Sequence, residues 1–537
     1  MTALASGNVV DTLNRDALAV LQPGFTGTRA PDWLLRRLGE GLASVGLFGR
    51  NIDSPEQLAE LTARLRAERG ELLVAVDEEG GDVTRLEART GSSFPGNLAL
   101  GAVDDTELTR AVARELGHRL ADCGVNLNWA PSADVNSDPG NPVIGVRSFG
   151  ADPALVARHT AAYVEGLQSA GVAACTKHFP GHGDTSVDSH HSVPRIDAAL
   201  ETLHARELVP FRAAVTARTK AVMSAHILLP ALDPARPATL SPAALAGLLR
   251  APVADGGLGF QGLVVTDGME MRAISAGYGI ERGSVLAVAA GADAICVGGG
   301  LADEETVLRL RDALVAAVRS GELPEERLAD AASRVRALAE WAADTRRAAA
   351  HSGRNGVRGP VTPRDPEVGL AAARRALRVT VREGAYEPMT TPPYVAAFTP
   401  VANIAVGDET PWGIAAELER LLPGTTTGTF GPAGGAADES APERAGGAAA
   451  AASAMIESVL AAAADRRIVA VVRDVHRHRW MGDALDALLA ARPDTVVVEM
   501  GLPGAAPAGA LHIATHGAAR VCGRAAAEVV AGGQAEG

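Results

Sequence analysis

Through the first 350 residues, short wholly apolar runs alternate with longer stretches in which apolar positions recur every three or four residues. The short runs predict buried strands and the longer ones amphipathic helices. The candidate strands are Ala17–Gln22, Val45–Gly49, Leu72–Asp77, Val125–Ala130, Val172–Thr176, Ala221–Ala225, Gly262–Asp267 and Ala292–Gly298. Helical periodicity falls at Ser54–Ala67, Thr106–Asp122, Pro153–Ser169, Ala199–Ala217 and Ser241–Leu249. Caps such as Asp53-Ser54-Pro55-Glu56 and Ser241-Pro242 open several of them.

Several strands are apolar on both faces, as parallel strands covered by helices are. Eight of them with eight crossovers predict a (β/α)8 TIM barrel. An open doubly wound sheet is the alternative. It is disfavoured because no GxGxxG follows the first strand, and because polar, chemistry-bearing residues end many strands rather than clustering at one switch point. The barrel is expected to span residues 1–348, closed by a long Ala/Arg-rich helix, Glu325–Arg347. The Gly/Arg/Pro-rich stretch His351–Pro366 marks a boundary, so 349–375 reads as a linker and connecting helix. Residues 376–537 then predict a smaller αβα sandwich with strands at Tyr394–Phe398, Ile468–Val472, Thr495–Glu499 and Leu511–Ala514. Its Gly/Ala-rich segment 431–452 is expected to be a mobile loop.

Composition removes several function classes. The net charge of −14 opposes nucleic acid and anionic membranes, and aromatics at 3% give no stacking platform for single strands. Four cysteines lie far apart without a CxxC, and three sit inside apolar runs as small hydrophobes do. The N-terminus lacks a basic region followed by an apolar core, and no run reaches the ~18 residues of a span, so a cytoplasmic protein is expected.

The chemistry concentrates in Lys177–Pro194, KHFPGHGDTSVDSHHSVP, which holds four of the chain's 13 histidines. It follows the apolar run of the fifth strand, where a barrel carries its active site. The third strand ends in Asp77-Glu78-Glu79-Gly80-Gly81, the sixth in Ser224-Ala225-His226 and the seventh in Thr266-Asp267-Gly268. A rigidly held strand-end carboxylate such as Asp267 suits a nucleophile or electrostatic stabiliser, the alternative being a helix N-cap. Asp188 lies two residues from His190, so in an extended segment the carboxylate can orient the imidazole as a general acid/base unit. A plain Asx turn is the alternative. Lys177 and His178 suit sugar-hydroxyl or phosphate binding, against a surface salt bridge. Gly181-His182-Gly183-Asp184 reads as a loop-shaping segment, with His182 packed inside it. Histidines and aspartates could also bind a metal, but neither HExxH nor ligand spacing on a helix is present.

These motifs resemble glycoside hydrolase family 3, in its β-N-acetylglucosaminidase (NagZ-like) branch. KHFPGHGDTSVDSH at 177–190 is similar to that branch's signature. VDEEGG at 76–81, FPGNLALGA at 94–102, NWAPSADVNSDPGNPVIGVRSFG at 128–150 and VVTDGMEM at 264–271 support it. The resemblance covers residues 15–345, and ATHGAARVCGRAAAEVVAG at 514–532 resembles the family's second domain. It implies Asp267 as the nucleophile of a covalent glycosyl-enzyme intermediate, and His190 paired with Asp188 as the acid/base. Asp77, Arg85, Arg147, Lys177 and His178 would bind N-acetylglucosamine (GlcNAc). Two departures from the family pattern are Glu78, where glutamine is usual, and Asp82, where arginine is frequent. They bear on the neighbouring subsite.

The expectation is a metal-independent, cofactor-free retaining exo-β-N-acetylglucosaminidase acting on muropeptide or chitooligosaccharide fragments. Its expected partner is a small GlcNAc-containing saccharide; the sequence is silent on oligomeric state. A histidine acid/base is uncharged after giving up its proton and would not repel phosphate, so β-N-acetylglucosaminide phosphorolysis is a rival. A β-glucosidase or β-xylosidase, a non-catalytic sugar-binding protein and a metal-dependent hydrolase are the others.

Overall fold

The computed structural model describes residues 12–185, 193–300, 303–351, 364–365, 367–382, 386–400, 406, 410–432 and 445–533. It divides into two compact units. One comprises residues 1–79, 106–144 and 150–366; the other comprises 80–105, 145–149 and 367–537.

The first unit is an α/β barrel. Its strands are β1 (Leu21–Pro23), β2 (Ser44–Leu47), β3 (Leu73–Val76), β4 (Leu127–Asn128), β5 (Ala173–Phe179), β6 (Ala221–Ser224), β7 (Leu263–Thr266) and β8 (Ile295–Val297). β2 to β7 pair in chain order, every pair parallel, and β1 pairs with β8. A parallel bridge Val265↔Ala294 joins β7 to β8, and Ser44 Oγ donates to Leu21 O at 3.2 Å across the β1–β2 seam. All eight strands are buried throughout, so both faces are covered, as their wholly apolar runs require.

Helices Thr106–Asp122 and Pro153–Ser169 have the expected bounds. Asp152 caps the second through Ala154 N and Leu155 N, and Ser54 caps Pro55–Glu68 through Gln57 N. Two expectations differ. Residues 12–19 are helical and the strand begins only at Leu21, because one apolar run feeds a buried helix end and then a buried strand. Periodicity alone does not separate the two. The span Ala199–Ala217 is two helices, Leu200–Ala205 and Leu208–Thr216, interrupted where Arg206 and Glu207 turn inward. Among the described residues no helix is long and apolar enough to cross a membrane.

The second unit holds a six-stranded sheet of β9 (Arg378–Val381), β10 (Tyr394–Phe398), β11 (Thr426–Phe430), β12 (Ile468–Val472), β13 (Val496–Glu499) and β14 (Leu511–Ala514). The order is β11-β10-β12-β13-β14-β9, with only β9 antiparallel to its neighbour. Alternation splits the core in two. Val469 and Val471 pack with helices Val368–Ala376, Ala415–Leu421 and Arg520–Val530 on one face. Ile468, Ala470 and Val472 pack with Ala445–Ala463 and Arg479–Ala491 on the other. This is an αβα sandwich. The expected loop 431–452 lies partly outside the described residues, and from Ala445 it is the first part of a helix. An alanine run propagates a helix well, which its low complexity obscured.

Asp82 belongs to this second unit. Its side chain is 2% exposed, pairs with the Arg473 guanidinium and accepts from Ala518 N at 2.7 Å. The residue that departs from the family pattern is thus an anchor, tying segment 80–105 to the ends of β12 and β14. Removing one member of a buried pair strands the other's charge. Asp82→Ala is expected to cost about 3–5 kcal/mol in denaturant unfolding of the second unit. A loss below about 1 kcal/mol, as for an exposed pair, would contradict the anchoring role.

Candidate active site

The strand ends of the barrel gather charge that could not be buried singly. Lys177, in β5, is 2% exposed, and its Nζ lies 2.5 Å from Asp77 Oδ1 and 2.7 Å from Glu79 Oε1. Glu79 is 3% exposed and Asp77, at the end of β3, is half-buried. Lys177 is therefore not a surface salt bridge but a desolvated ammonium held by two carboxylates 98 and 100 residues away. Glu78 turns the segment by exchanging backbone bonds with the Asn128 amide: Glu78 N to Oδ1 at 3.0 Å, and Nδ2 to Glu78 O at 2.7 Å.

The next residue is fixed by an aspartate that sequence reasoning did not single out. His178 Nδ1 lies 2.7 Å from Asp134 Oδ2, and Asp134 Oδ1 accepts from the backbone of His178 at 3.2 Å and of His182 at 2.7 Å. Ser132 Oγ adds a bond to Asp134 Oδ2 at 2.9 Å. Burial works against the Asp134 charge, but the two histidines and these bonds hold its carboxyl well below the usual carboxylate range. The signal was present: Asp134 follows Pro131 at the end of the fourth strand, within the stretch 128–150.

His182 packs inside the loop as expected, 2% exposed, with Nδ1 3.0 Å from Thr185 Oγ1 and its carbonyl held by Asn141 Nδ2 at 2.9 Å. Burial, and then the neighbouring His178, lower its pKa to about 4, with Asp134 and Asp267 pulling the other way. Gly181 has φ +128°, and a Cβ on Gly183 would collide with the Val135 carbonyl, so this bend admits only glycine at both positions.

Asp267 stands half-buried just beyond β7. Its backbone N–H donates to Ser224 O at 3.1 Å, and its Oδ1 accepts from Gly268 N at 2.8 Å. It does not cap the following helix, Arg272–Ser275, whose N-cap is Met271. His226 steadies the turn through Nε2 to Gly268 O at 3.0 Å, its Nδ1 being 2.9 Å from Thr239 Oγ1. The Cys175 thiol, in β5, is pushed up by burial, with Lys177 opposing this and Asp77 and Asp267 adding to it.

The structure therefore brings Asp77, Lys177, His178 and Asp267 to the same ends of the barrel strands. Arg85 and Arg147 belong to the other compact unit, where Arg147 is buried and its carbonyl accepts from Asn97 Nδ2 at 2.7 Å. Asp188 and His190 lie outside the described residues. Among the described residues no group of three or more His, Cys, Asp or Glu is arranged to hold a metal ion.

The sequence profile of the Glycosyl hydrolase family 3 N terminal domain matches residues 34–338, more than half the chain. This chain belongs to glycosyl hydrolase family 3. Its similarity to Beta-hexosaminidase A of Pseudoalteromonas piscicida is 34% identity over 54% of this chain and 52% of that protein. With Beta-hexosaminidase LpqI of Mycobacterium tuberculosis it is 39% over 47% of this chain and 64% of the relative. The matches thus span between half and two thirds of these curated relatives. Among solved structures, a family 3 β-N-acetylglucosaminidase from Paenibacillus sp. is 34% identical with a TM-score of 0.81, covering 97% of this chain and 96% of its own.

In this family 3 chain His182 stays neutral in the fold well below the pH at which it would charge when unfolded. Stability from this depressed pKa is present above about pH 6.5 and is lost as pH falls toward 4, by about 3 kcal/mol in all. His182→Asn, which keeps a polar atom toward Thr185, should flatten the fall in denaturation midpoint between pH 6.5 and 4. An unchanged slope would show that His182 is not what titrates.

Proposed function

We propose that this chain is a retaining exo-β-N-acetylglucosaminidase releasing terminal β-linked GlcNAc from muropeptide or chitooligosaccharide fragments. The observation that carries this reading is Asp267 at the end of β7, with the Asp77–Lys177–Glu79 group and the Asp134-held His178 at the ends of β3 and β5. Such a mouth offers what a sugar needs: an ammonium and an imidazole to hold hydroxyls, carboxylates to accept from them, and one carboxylate on a rigid strand end. The near full-length likeness to a protein named a β-N-acetylglucosaminidase favours GlcNAc over glucose.

In the first step Asp267 attacks the anomeric carbon as His190, oriented by Asp188, protonates the departing glycosidic oxygen. The bond to the aglycone breaks and a glycosyl ester on Asp267 forms. In the second, neutral His190 takes a proton from water, whose oxygen displaces Asp267 and frees GlcNAc with retained configuration. Asp77, Lys177 and His178 bind the sugar. The buried Asp134 fixes which nitrogen of His178 faces its carboxylate.

Asp267→Ala should lower kcat/KM on aryl β-GlcNAc by at least on the order of 10³-fold while the protein remains folded. Wild-type enzyme should release GlcNAc and not its 1-phosphate in phosphate buffer, and should prefer the N-acetylglucosaminide to the glucoside. Unchanged turnover in the variant would remove Asp267 from the chemistry. Sugar 1-phosphate as the main product, or faster cleavage of the glucoside, would overturn the assigned reaction.

A further inference from the structure

The break between helices Leu200–Ala205 and Leu208–Thr216 puts two charged side chains under the start of the histidine loop. Arg206, at φ −120° and ψ −74°, leaves the helical path. Its guanidinium pairs with the Asp184 carboxylate through Nη2 and lies 2.5 Å from Glu207 Oε1 through Nε. Glu207 is fully buried, and among the described residues its Oε2 has no hydrogen-bond partner. That oxygen lies against Gly181, where a Cβ would collide with the Glu207 side chain. Burial raises the Glu207 pKa to about 7; Arg206 opposes this, and Asp134 and Asp184 add to it.

A buried carboxylate with an unmet oxygen is costly, and helix formation does not call for one. Among the described residues the side chains of this pair instead meet each other and the segment 181–184. Gly181 abuts Glu207, Asp184 is tied to Arg206, and His182 between them is already held by Asp134 and Thr185. Four residues after Asp184 comes Asp188, then His190. We infer that Arg206 and Glu207 are a brace that sets the direction in which the chain leaves residue 184, and so are positioning residues for the Asp188–His190 pair. This rests on the reading of His190 as the acid/base. It assigns to Arg206 and Glu207 no contact with substrate.

Leaving-group dependence separates a positioning role from a merely structural one, because a good leaving group departs without a proton. The full chain would be assayed on phenyl and 2,4-dinitrophenyl β-GlcNAc under conditions where glycosylation is rate-limiting. Arg206→Gln is expected to lower kcat on the phenyl substrate by about 10–100-fold with KM within about twofold, and on the dinitrophenyl substrate by less than about threefold. Arg206→Lys should recover most of the loss, and Glu207→Gln should show the same selectivity at smaller size. Equal losses on both substrates in the Arg206 and Glu207 variants, or a change in KM alone, would overturn the brace. Should Arg206→Gln fail to fold, Arg206→Lys and Glu207→Gln decide the same question. His190→Ala is the control. If it is strongly leaving-group selective and the brace variants are not, the brace fails while the acid/base assignment stands. If His190→Ala shows no selectivity, the assignment fails first.

Discussion

A lysine ammonium that is 2% exposed inside a barrel end is the constraint on which the rest of this site depends. Taking such a charge out of water costs several kcal/mol, and the cost is offset only when paired, well-aligned carboxylates meet it. Asp77 and Glu79 do so from the end of β3. That requirement explains why the DEEGG turn is acidic, and why Asn128 holds it by both its oxygen and its nitrogen. The two strand ends are bound together by charge as much as by the sheet. A sugar entering the mouth would meet polar groups already oriented, with little rearrangement left to make.

A second buried charge works in the same manner on the loop that follows. Asp134 ionises in the interior because His178, His182 and Ser132 supply hydrogen bonds to both its oxygens. Its anionic form in turn fixes the His178 ring and the bend at His182. Asp267 Oδ1 accepts from Gly268 N in the turn that His226 steadies.

Much of this was legible in the sequence, and the parts that were not have physical causes. The barrel strands and the helices at 106–122 and 153–169 announce themselves through burial on both faces or through a clean 3.6-residue period. Asp77, Lys177, His178 and Asp267 were visible as polar residues that abruptly end apolar runs. Asp134 and Glu207 were not, because their partners are chosen by the tertiary fold: Asp134 meets His178 from 44 residues away. The helix break at Arg206, by contrast, has a local cause: Pro210, four residues on, has no N–H to offer the Arg206 carbonyl and its ring crowds it. Strands β9 and β11 escaped notice because they are short and mostly exposed, RVTV and TTGTF, with little more than Val379 and Phe430 packed against the core. Asp82 was visible only as a departure from the family pattern. Its pairing with Arg473, 391 residues on, makes it an anchor of the second unit.

In the reaction we propose, Asp267 becomes covalently bonded to the sugar. A 5-fluoro glycosyl fluoride of N-acetylglucosamine, which slows release from the enzyme more than attack, would trap that ester for intact-protein mass spectrometry and peptide mapping. One sugar per chain, attached to the Asp267 carboxylate, is the expected result. A label on another carboxylate, or none while the enzyme turns over its substrate, would contradict it.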